Sequence, residues 1–395
     1  MTLANAHALF YGLKADPSYL ANLRIGDDER ERLMGARKRV REALKAASVF
    51  IAGKDEYWDD AYARNVGHRL RQRIEVKFMT QGSFAYGTIN TPAHVPLQEI
   101  DLDDGMYVPV EFLENGEPAL AAKGLFAFVE SVLKPLCHEM GWRVCEDYHE
   151  NCVRVKLWPG AHLDLPIYSI PRERFEAISE KLEKAIAAHA LTFDAMTAGW
   201  KLPSDKIMLA QRSGSWVQSD PQQMHEWVTA KYERYGPVYK RLCKFFKGWR
   251  DFTWLKSELS SVCVMAAIDV ALRQISDFPT ENRDDELIME VAKRLPDIFN
   301  GKVDNPVLTY LCLNNWDDKV RGEIVAQARE LRDQMVVALE RTGDAEEVVK
   351  KLRSRFGERV PYRPDAVKIA SKIEAIQRAP AIIVSAPKVI PSTSG

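Results

Sequence analysis

The sequence predicts an α+β protein in which a small mixed sheet, flanked by helices, precedes a wholly helical lobe. Runs in which polar and apolar residues alternate, typical of strands with one wet face, occur between residues 99 and 168. Stretches with apolar residues every three or four positions surround them, and they continue alone from residue 221. At 395 residues the chain is long enough for two lobes. We therefore predict a sheet-bearing lobe with N-terminal helices over 1–215, a helical lobe over 216–377 and a flexible tail over 378–395.

The composition is that of an ordinary soluble protein, with 46% hydrophobic and 28% charged residues. A net charge of -1 gives no bulk attraction for nucleic acid, so a polyanion site would have to be a local patch. The sequence has neither a signal-peptide core nor a run of 18 apolar residues, and we expect a cytoplasmic protein. The six cysteines are expected to be reduced. One group has metal-binding residue types but a spacing unlike common zinc sites: Cys137, His138, Cys145, His149 and Cys152.

The N-terminal region should consist of an arm and two helices. Residues 1–26 are interpreted as a loose arm with short helical pieces. A long amphipathic helix follows, with Asp27 or Asp28 as N-cap, because a short acidic side chain accepts from the free amides of a first turn. A second helix is expected over about 56–73. The long helix has a basic face that is either a solvated surface or a wall facing phosphate: Arg30, Arg32, Arg37, Lys38, Arg39, Arg41 and Lys45.

The middle of the chain should form the remainder of the sheet. A helix over 120–140 is predicted to lead into strands, because strands that follow a helix with turns between them indicate a mixed sheet. Those strands are expected at 142–146, 152–158 and 162–168. After them we predict a helix over 172–191 and an irregular polar passage over 192–219.

The C-terminal part should be helical up to the tail. Asp220 followed by Pro221 is a strong start signal, since proline is well tolerated at the first helical position. Helices are predicted at 221–234, 236–252, 260–277, 284–297, 317–341, 344–355 and 365–377. The last residues contain three prolines and no periodicity, which is typical of a flexible terminus.

The most informative stretch is 79–108, which contains a Gly82-Ser83 turn and an acidic strand. Because side chains alternate along a strand, Asp101 and Asp103 project from one face and can share divalent cations. Asp164 follows in a second alternating run and is the natural third carboxylate if the two strands are neighbours. An isolated pair of strand acids is usually only a solvated edge, but the three features together favour a metal site.

Three carboxylates beside a Gly-Ser turn suit nucleotidyl transfer, in which a hydroxyl attacks the α-phosphorus of a nucleoside triphosphate. Two Mg²⁺ ions can neutralise phosphate charge and activate the hydroxyl, while a glycine lets the main chain approach the phosphates. Asp101 and Asp103 would hold both ions, and Asp164 would hold the one that activates the hydroxyl. The sequence has no P-loop, HExxH, GxSxG or GxGxxG motif to support a rival chemistry.

The chain resembles the bacterial cGAS/DncV-like nucleotidyltransferases, and within that family its DncV branch. The family pattern of a Gly-Ser pair followed by two alternating acids is met by Gly82, Ser83, Asp101 and Asp103. Longer matches are TQGSFAYGTIN, QEIDLDDGMYVP, HLDLPIYSIP, SDP at 219–221 and FKGWRD at 246–251, within a likeness over most of 20–300. The resemblance implies a nucleotidyltransferase (Pol-β-like) sheet lobe with a C-terminal helical lobe.

The resemblance also implies roles for individual residues. Asp101, Asp103 and Asp164 would be catalytic metal ligands for two Mg²⁺ ions, with Mn²⁺ as a possible substitute. Residues implied to contact nucleotide are Gln81, Gly82, Ser83, Phe84, Ala85, Tyr86, Ser219, Lys247, Ser261 and Asp304. Without the resemblance, Lys247 would be interpreted as an ordinary lysine with a buried stem. Asp304 lies in a loop shorter than the family's, and Gly87 stands where the family has an acid.

The implied activity is synthesis of a cyclic dinucleotide second messenger, 3′3′-cyclic GMP-AMP from ATP and GTP, in antiphage (CBASS) signalling. The implied partners are a downstream effector that binds the product and an E1/E2-like enzyme that conjugates Gly395, although a terminus without a role fits the tail composition equally well. No membrane and no obligatory nucleic acid are expected. The alternatives are another cyclic di- or trinucleotide, a template-free RNA nucleotidyltransferase, and a catalytically inactive nucleotide sensor.

Overall fold

The computed structural model describes residues 2–12, 17–66, 74–113, 116–145, 149–172, 207–219, 221–279 and 282–370. Several predicted features lie outside these ranges. They are the Asp220 cap, the helix over 172–191 beyond its first residue, the last part of the helix over 56–73, and the tail with Gly395.

Eight of the described strands form one mixed sheet around a long central strand, β3. The strands are β2 (Lys77–Thr80), β3 (Ile100–Val110), β4 (Arg143–Val144), β5 (Val153–Trp158), β6 (Ala161–Leu165), β7 (Ile167–Pro171), β8 (Met208–Ala210) and β9 (Trp216–Gln218). β3 pairs in parallel with β6 and β7 and antiparallel with β2, while β5 pairs antiparallel with β6. The predicted mixed sheet is confirmed.

Two details of the sheet differ from the prediction. The single strand expected over 162–168 is two strands, because Pro166 between them has no amide hydrogen with which to continue a ladder. The stretch predicted to be irregular over 192–219 contains β8 and β9, which pair with each other while β8 extends the sheet from β7. These strands have three residues each, too short for a period-2 pattern to be recognised.

Most helices of the first half pack on the sheet, whereas the two short ones in the N-terminal arm pack on the helical half. They are α1 (His7–Phe10), α2 (Tyr19–Asn22), α3 (Asp27–Ser48), α4 (Asp60–Asn65), α5 (Gly82–Ala85) and α6 (Ala122–Met140). The predicted cap of α3 is wrong: Gly26 occupies the N-cap, and Asp27 and Asp28 lie in the first turn. Acids in a first turn still stabilise a helix, because they face its positive end. α4 begins at Asp60 and not at residue 56 as predicted, because Asp55–Tyr57 forms a separate 3₁₀ turn.

The second half is helical, as predicted, except at its end. The helices are α7 (Pro221–Tyr235), α8 (Pro237–Thr253), α9 (Ser261–Arg273), α10 (Asp284–Asn300), α11 (Asp318–Val336), followed by a π-helical turn (Val337–Arg341), and α12 (Ala345–Phe356). The helix predicted over 365–377 is wrong where it is described: Pro364–Ala366 is a 3₁₀ turn, and Lys368–Ile369 pairs as β10 with β1 (Ala4–Asn5).

Two large hydrophobic clusters correspond to the sheet and the helical half. The sheet cluster contains buried residues of α3, β3, β5, β6 and α6. The helical cluster also includes the N-terminal arm, where Phe10 and Tyr19 pack against Phe245 and Phe356. The arm, predicted to belong with the sheet-bearing lobe, therefore packs on the helical half. In the described part of the chain, no helix is long and apolar enough to cross a bilayer.

Candidate active site

The three predicted carboxylates lie on one face of β3 and β6. The parallel register places Asp101 beside His162 and Asp103 beside Asp164. Since side chains two residues apart on a strand share a face, all four project together toward the helical half. The apolar residues between them, such as Leu102 and Leu163, point into the sheet core and are fully buried. The alternation recognised in the sequence is therefore what assembles the site.

The carboxylates of this face repel one another. The pKa of Asp103 is raised to about 8, by burial first and then by the charges of Asp101 and Asp164. Asp164 is buried as well, which would raise its pKa, but Arg154 reverses the effect and lowers it. Arg154 approaches from β5 and donates to both oxygens, at 2.7 and 2.6 Å. Arg154 thus keeps Asp164 ionised, whereas the pKa of the neighbouring Asp103 stays raised.

His162 lies between Asp101 and Asp164. Its Nδ1 is 2.8 Å from a Glu99 oxygen, and Lys156 donates to the same oxygen at 2.6 Å. Its Nε2 is 3.1 Å from Asp101 Oδ1 and 4.0 Å from Asp164 Oδ1. Burial alone would lower the pKa of His162, but the neighbouring carboxylates raise it. His162, Glu99 and Arg154 were not predicted as site residues. For His162 a signal exists in the sequence, since the alternation places residue 162 on the same face as Asp164.

Gly82 is required where it stands. Its φ of +61° is in the left-handed region, and a Cβ there would lie 1.9 Å from Asp103 Oδ2. The Asp103 carboxylate therefore rests directly on the glycine main chain at the start of α5. Ser83 follows and lines the same cavity. This contact explains physically why a Gly-Ser turn accompanies the acidic strand.

The residues present fit a hard divalent cation. Asp101, His162 and Asp164 each offer one ligand atom, all within 4.8 Å of one another, and carboxylate oxygens are the ligands that Mg²⁺ prefers. Buried Asp101 Oδ1 has no hydrogen-bond partner, which is the state expected of an oxygen reserved for a ligand. Among the described residues this is the one group of its kind, and it includes none of the cysteines and histidines between residues 137 and 152.

A cavity of about 570 Å³ separates this face from α8 and α9. Two lysines one helical turn apart on α8 contact the main chain that follows α5. Lys247 donates to the Thr88 carbonyl at 3.0 Å, and Lys244 donates to the Ile89 carbonyl. Burial, with further cations nearby, lowers their pKa to about 8 and about 7 respectively. Lys247 is therefore not an ordinary exposed lysine, and Lys244 was missed from the sequence.

Two further residues of the cavity wall have polar atoms without partners. The Thr88 hydroxyl and Asn90 Oδ1 are buried and make no hydrogen bond. Asn90 is fixed by donating from Nδ2 to the Lys244 carbonyl at 2.8 Å. Buried polar atoms are normally satisfied, so these two are candidates to contact a ligand. They lie in the TQGSFAYGTIN match but were not singled out.

Some of the other residues predicted to contact nucleotide line the cavity, and others lie outside it. Tyr86 and Ser261 line the cavity, and Ser261 accepts from Arg250 at 2.9 Å. Gln81 is buried outside the wall, bonded to Tyr107 at 2.7 Å and Tyr168 at 3.1 Å. Those not lining the cavity are Gln81, Phe84, Ala85, Ser219 and Asp304. Asp304 is 59% exposed and paired with Lys302 at 2.6 Å.

The basic face of α3 is partly structural. Arg41 donates through two nitrogens to Asp104, which is fully buried on the core side of β3, and Arg37 donates to Thr80 at 2.5 Å. Lys38 is mostly exposed and pairs with Glu42. The face is therefore neither uniformly solvated nor, at Arg41, open to phosphate.

Comparison with known proteins agrees with this geometry. Residues 76–168 match the family model of the nucleotidyltransferase domain of Cyclic GMP-AMP synthase DncV-like proteins, and residues 236–368 match that of the Cyclic GMP-AMP synthase C-terminal domain. A Cyclic GMP-AMP synthase from Escherichia coli is 32% identical over 330 residues, which are 79% of this chain and 72% of that protein. One from Vibrio cholerae is 30% identical over 339 residues, 80% and 74% of the two chains.

A solved structure extends the likeness to the fold. The crystal structure of Vibrio cholerae DncV cyclic AMP-GMP synthase in complex with the linear intermediate 5′ pppA(3′,5′)pG superposes with a TM-score of 0.75. It is 25% identical, and the alignment covers 94% of this chain and 100% of that one.

Proposed function

The chain belongs to the DncV-like nucleotidyltransferases, and we propose that it joins ATP and GTP into 3′3′-cyclic GMP-AMP. The observation that supports this best is that Asp101 and Asp103 line one wall of a cavity, with Asp164 beside Asp103 in the sheet, while the buried Lys247 lines the opposite wall. The volume of about 570 Å³ is within the range of small-molecule sites. Two relatives that match 79% and 80% of this chain are cyclic GMP-AMP synthases.

Divalent cations, Mg²⁺ or Mn²⁺, would be held by Asp101, Asp103 and Asp164, where they would neutralise phosphate charge and make a hydroxyl easier to deprotonate. Arg154 keeps the Asp164 carboxylate ionised and fixes its orientation. Asp103, whose pKa is about 8, is favoured in the ionised form once positive charge is present beside it. Asp164 is therefore ionised before a cation binds, whereas Asp103 becomes ionised when one binds, and both would then act as ligands.

The protein would position the two nucleotides from opposite walls. Ser83 and the amides near Gly82 supply donors for the triphosphate, close to the carboxylates. From the helical wall, Lys247 offers positive charge, and Ser261 offers a hydroxyl held by Arg250. Thr88 and Asn90 provide acceptors for ribose or base groups. Holding both reactants converts an encounter between two molecules into a step within one complex.

Antiphage signalling through a downstream effector, and conjugation of Gly395 by an E1/E2-like enzyme, belong to the same proposal. They rest on the family resemblance, which implies both. Intact mass of the protein co-produced with such a conjugating enzyme tests the second point. A covalent adduct lost in Gly395→Glu supports it, and an unmodified wild-type chain contradicts it.

The direct test of function is incubation with labelled ATP, GTP, CTP and UTP in the presence of Mg²⁺ or Mn²⁺. A phosphatase-resistant product that contains one adenine and one guanine is expected from ATP with GTP alone. The linkage follows from digestion with a nuclease specific for 3′–5′ bonds. A product from other bases would change the proposed substrates, and extension only of added RNA would overturn cyclisation.

A further inference from the structure

We propose that His162 is a metal ligand, binding through Nε2 the cation held by Asp101 and Asp164. The inference deepens the proposed function and rests on it in one respect, since both require a divalent cation at this face. It goes further by placing a nitrogen among ligands that the sequence predicts to be oxygens alone.

The first support is a pair of buried atoms that face each other without a hydrogen bond. His162 is 6% exposed, and neither its Nε2 nor Asp101 Oδ1 makes a hydrogen bond of normal geometry. The two atoms are 3.1 Å apart, yet their geometry is not that of a hydrogen bond. Buried polar atoms are rarely left in this state, and a shared cation would satisfy both at once.

The second support is the spacing of the ligand atoms. Around an octahedral ion with bonds of about 2.1 Å, adjacent ligands lie roughly 3.0 Å apart and opposite ligands roughly 4.2 Å apart. Nε2 is 3.1 Å from Asp101 Oδ1 and 4.0 Å from Asp164 Oδ1. Both separations therefore match positions in the coordination shell of one ion. Arg154 does not prevent this, because each carboxylate oxygen has a second lone pair.

The third support is the contact of Glu99 with Nδ1, the ring nitrogen on the other side of the imidazole from Nε2. Nδ1 lies 2.8 Å from Glu99, which also pairs with Lys156 at 2.6 Å. Metal-binding histidines almost always donate their other ring N–H to a carboxylate or carbonyl, which fixes the tautomer and leaves the remaining nitrogen free to coordinate. Lys156 lies opposite His162 in the β5–β6 register, and Glu99 directly precedes β3, so both residues that hold Nδ1 are fixed by the sheet.

A nitrogen ligand has a consequence for metal choice. Imidazole binds transition metals better than it binds Mg²⁺, whereas carboxylates suit both Mg²⁺ and Mn²⁺. The site should therefore prefer Mn²⁺ over Mg²⁺ more strongly than its carboxylates alone would. Replacing His162 should reduce that preference, and replacing Glu99 should weaken binding of Mn²⁺ by roughly 10- to 100-fold.

The test is pulsed electron paramagnetic resonance of Mn²⁺ added to the full-length protein without nucleotide, so that no base nitrogen is present. We expect echo modulation from a directly bound ¹⁴N, which changes to the ¹⁵N pattern in protein labelled only at histidine. His162→Gln should abolish it. His138→Gln, which alters an exposed histidine on α6, should leave it intact.

Bound Mn²⁺ without nitrogen modulation in the wild-type protein would overturn the inference and leave His162 as a positioning residue for Asp101. Failure of the nucleotide-free protein to bind Mn²⁺ would also overturn it. The wild-type measurement stands even where a variant fails to fold. Nitrogen coupling in a protein that makes no cyclic product would sustain the inference while refuting the proposed function.

Discussion

The two faces of strand β3 use the same side chain in opposite ways. Asp104 is fully buried on the core face, where Arg41 binds both its oxygens and Thr80 donates to it at 3.1 Å. Asp103, the preceding residue, faces the cavity, where the charges that act on it most strongly are those of two other acids, Asp101 and Asp164. The protein thus neutralises one carboxylate by itself and leaves its neighbour in need of an external cation.

This difference separates stability from function along a single strand. A buried charge that has a bonded partner is tolerated, and removing either partner is costly because the other charge remains. A cluster of like charges works against folding, but it produces the site that attracts a metal and a triphosphate. The core face of β3 should therefore contribute to folding, and the cavity face to catalysis at some expense of stability.

The largest expected effect is on the cavity face. Asp101→Asn together with Asp103→Asn removes two carboxylates without changing side-chain volume, so the sheet should fold normally. We expect cyclic product to fall by more than roughly 10³-fold, because charge at the reacting phosphates is no longer stabilised. Product formation by chromatography, with circular dichroism as a check of folding, measures this.

Asp365→Asn is the matched control, since that aspartate is 71% exposed and pairs only with Arg363 among the described ion pairs. It should leave activity unchanged. Appreciable product from the double variant would show that the cavity face is not the reacting centre.

A smaller effect is expected where the turn meets the strand. Gly82→Ala places a methyl group on the Asp103 carboxylate at a φ of +61°, so the carboxylate must move. Activity should fall by about 10²-fold, because a displacement near 1 Å at the reacting groups costs about that much. Initial rates at saturating ATP and GTP measure the effect.

Gly35→Ala serves as the comparison, because nothing lies within 4 Å of the added atom in the middle of α3. It should retain full activity and gain about 0.5–1 kcal/mol of stability. If Gly82→Ala behaved in the same way, Asp103 would not need the position that the structure gives it.

How far the sequence predicted this site depends on the range of the interactions. The alternation of Asp101 and Asp103 and the repeat at Asp164 are local patterns, and they placed the carboxylates on one face correctly. The same alternation places Asp104 on the core face, where its buried charge requires a partner. No pattern in the neighbouring sequence indicates that this partner is Arg41. Contacts between distant segments, such as Lys244 with Ile89, depend on packing that periodicity does not contain.

The fold shows the same limit. Long helices of the second half were predicted within a few residues, because each repeats its apolar spacing several times. The short strands β8 and β9 and the β1–β10 pair were missed, since they depend on partners supplied by other parts of the chain.

The smallest expected effect is on the helical side of the cavity. Burial, with nearby cations, lowers the pKa of Lys244 to about 7 in the folded protein, against 10.5 ordinarily. Between those values the unfolded chain binds more protons than the folded one, so this lysine makes the free energy of unfolding rise with pH. Lys244→Met should reduce that rise by up to about 1.4 kcal/mol per pH unit.

Urea unfolding at pH 7.5 and 9 measures the slope. Lys350→Met, at an exposed lysine of α12, should leave it unchanged. Equal slopes in wild type and Lys244→Met would mean that Lys244 is not held in the desolvated position described.

The most direct test of the contrast between the two faces is to compare Asp103→Asn with Asp104→Asn in one experiment. The substitution is identical, the residues are adjacent, and both the free energy of unfolding and the yield of cyclic product are measured, with unfolding followed in EDTA near pH 8.5. Asp104→Asn should lose roughly 3 kcal/mol, the low end for a broken buried pair because Arg41 is 24% exposed, while the folded variant retains activity. Asp103→Asn should lose activity without losing stability, since it relieves repulsion. Equal destabilisation of the two variants, or an active Asp103→Asn, would contradict this account.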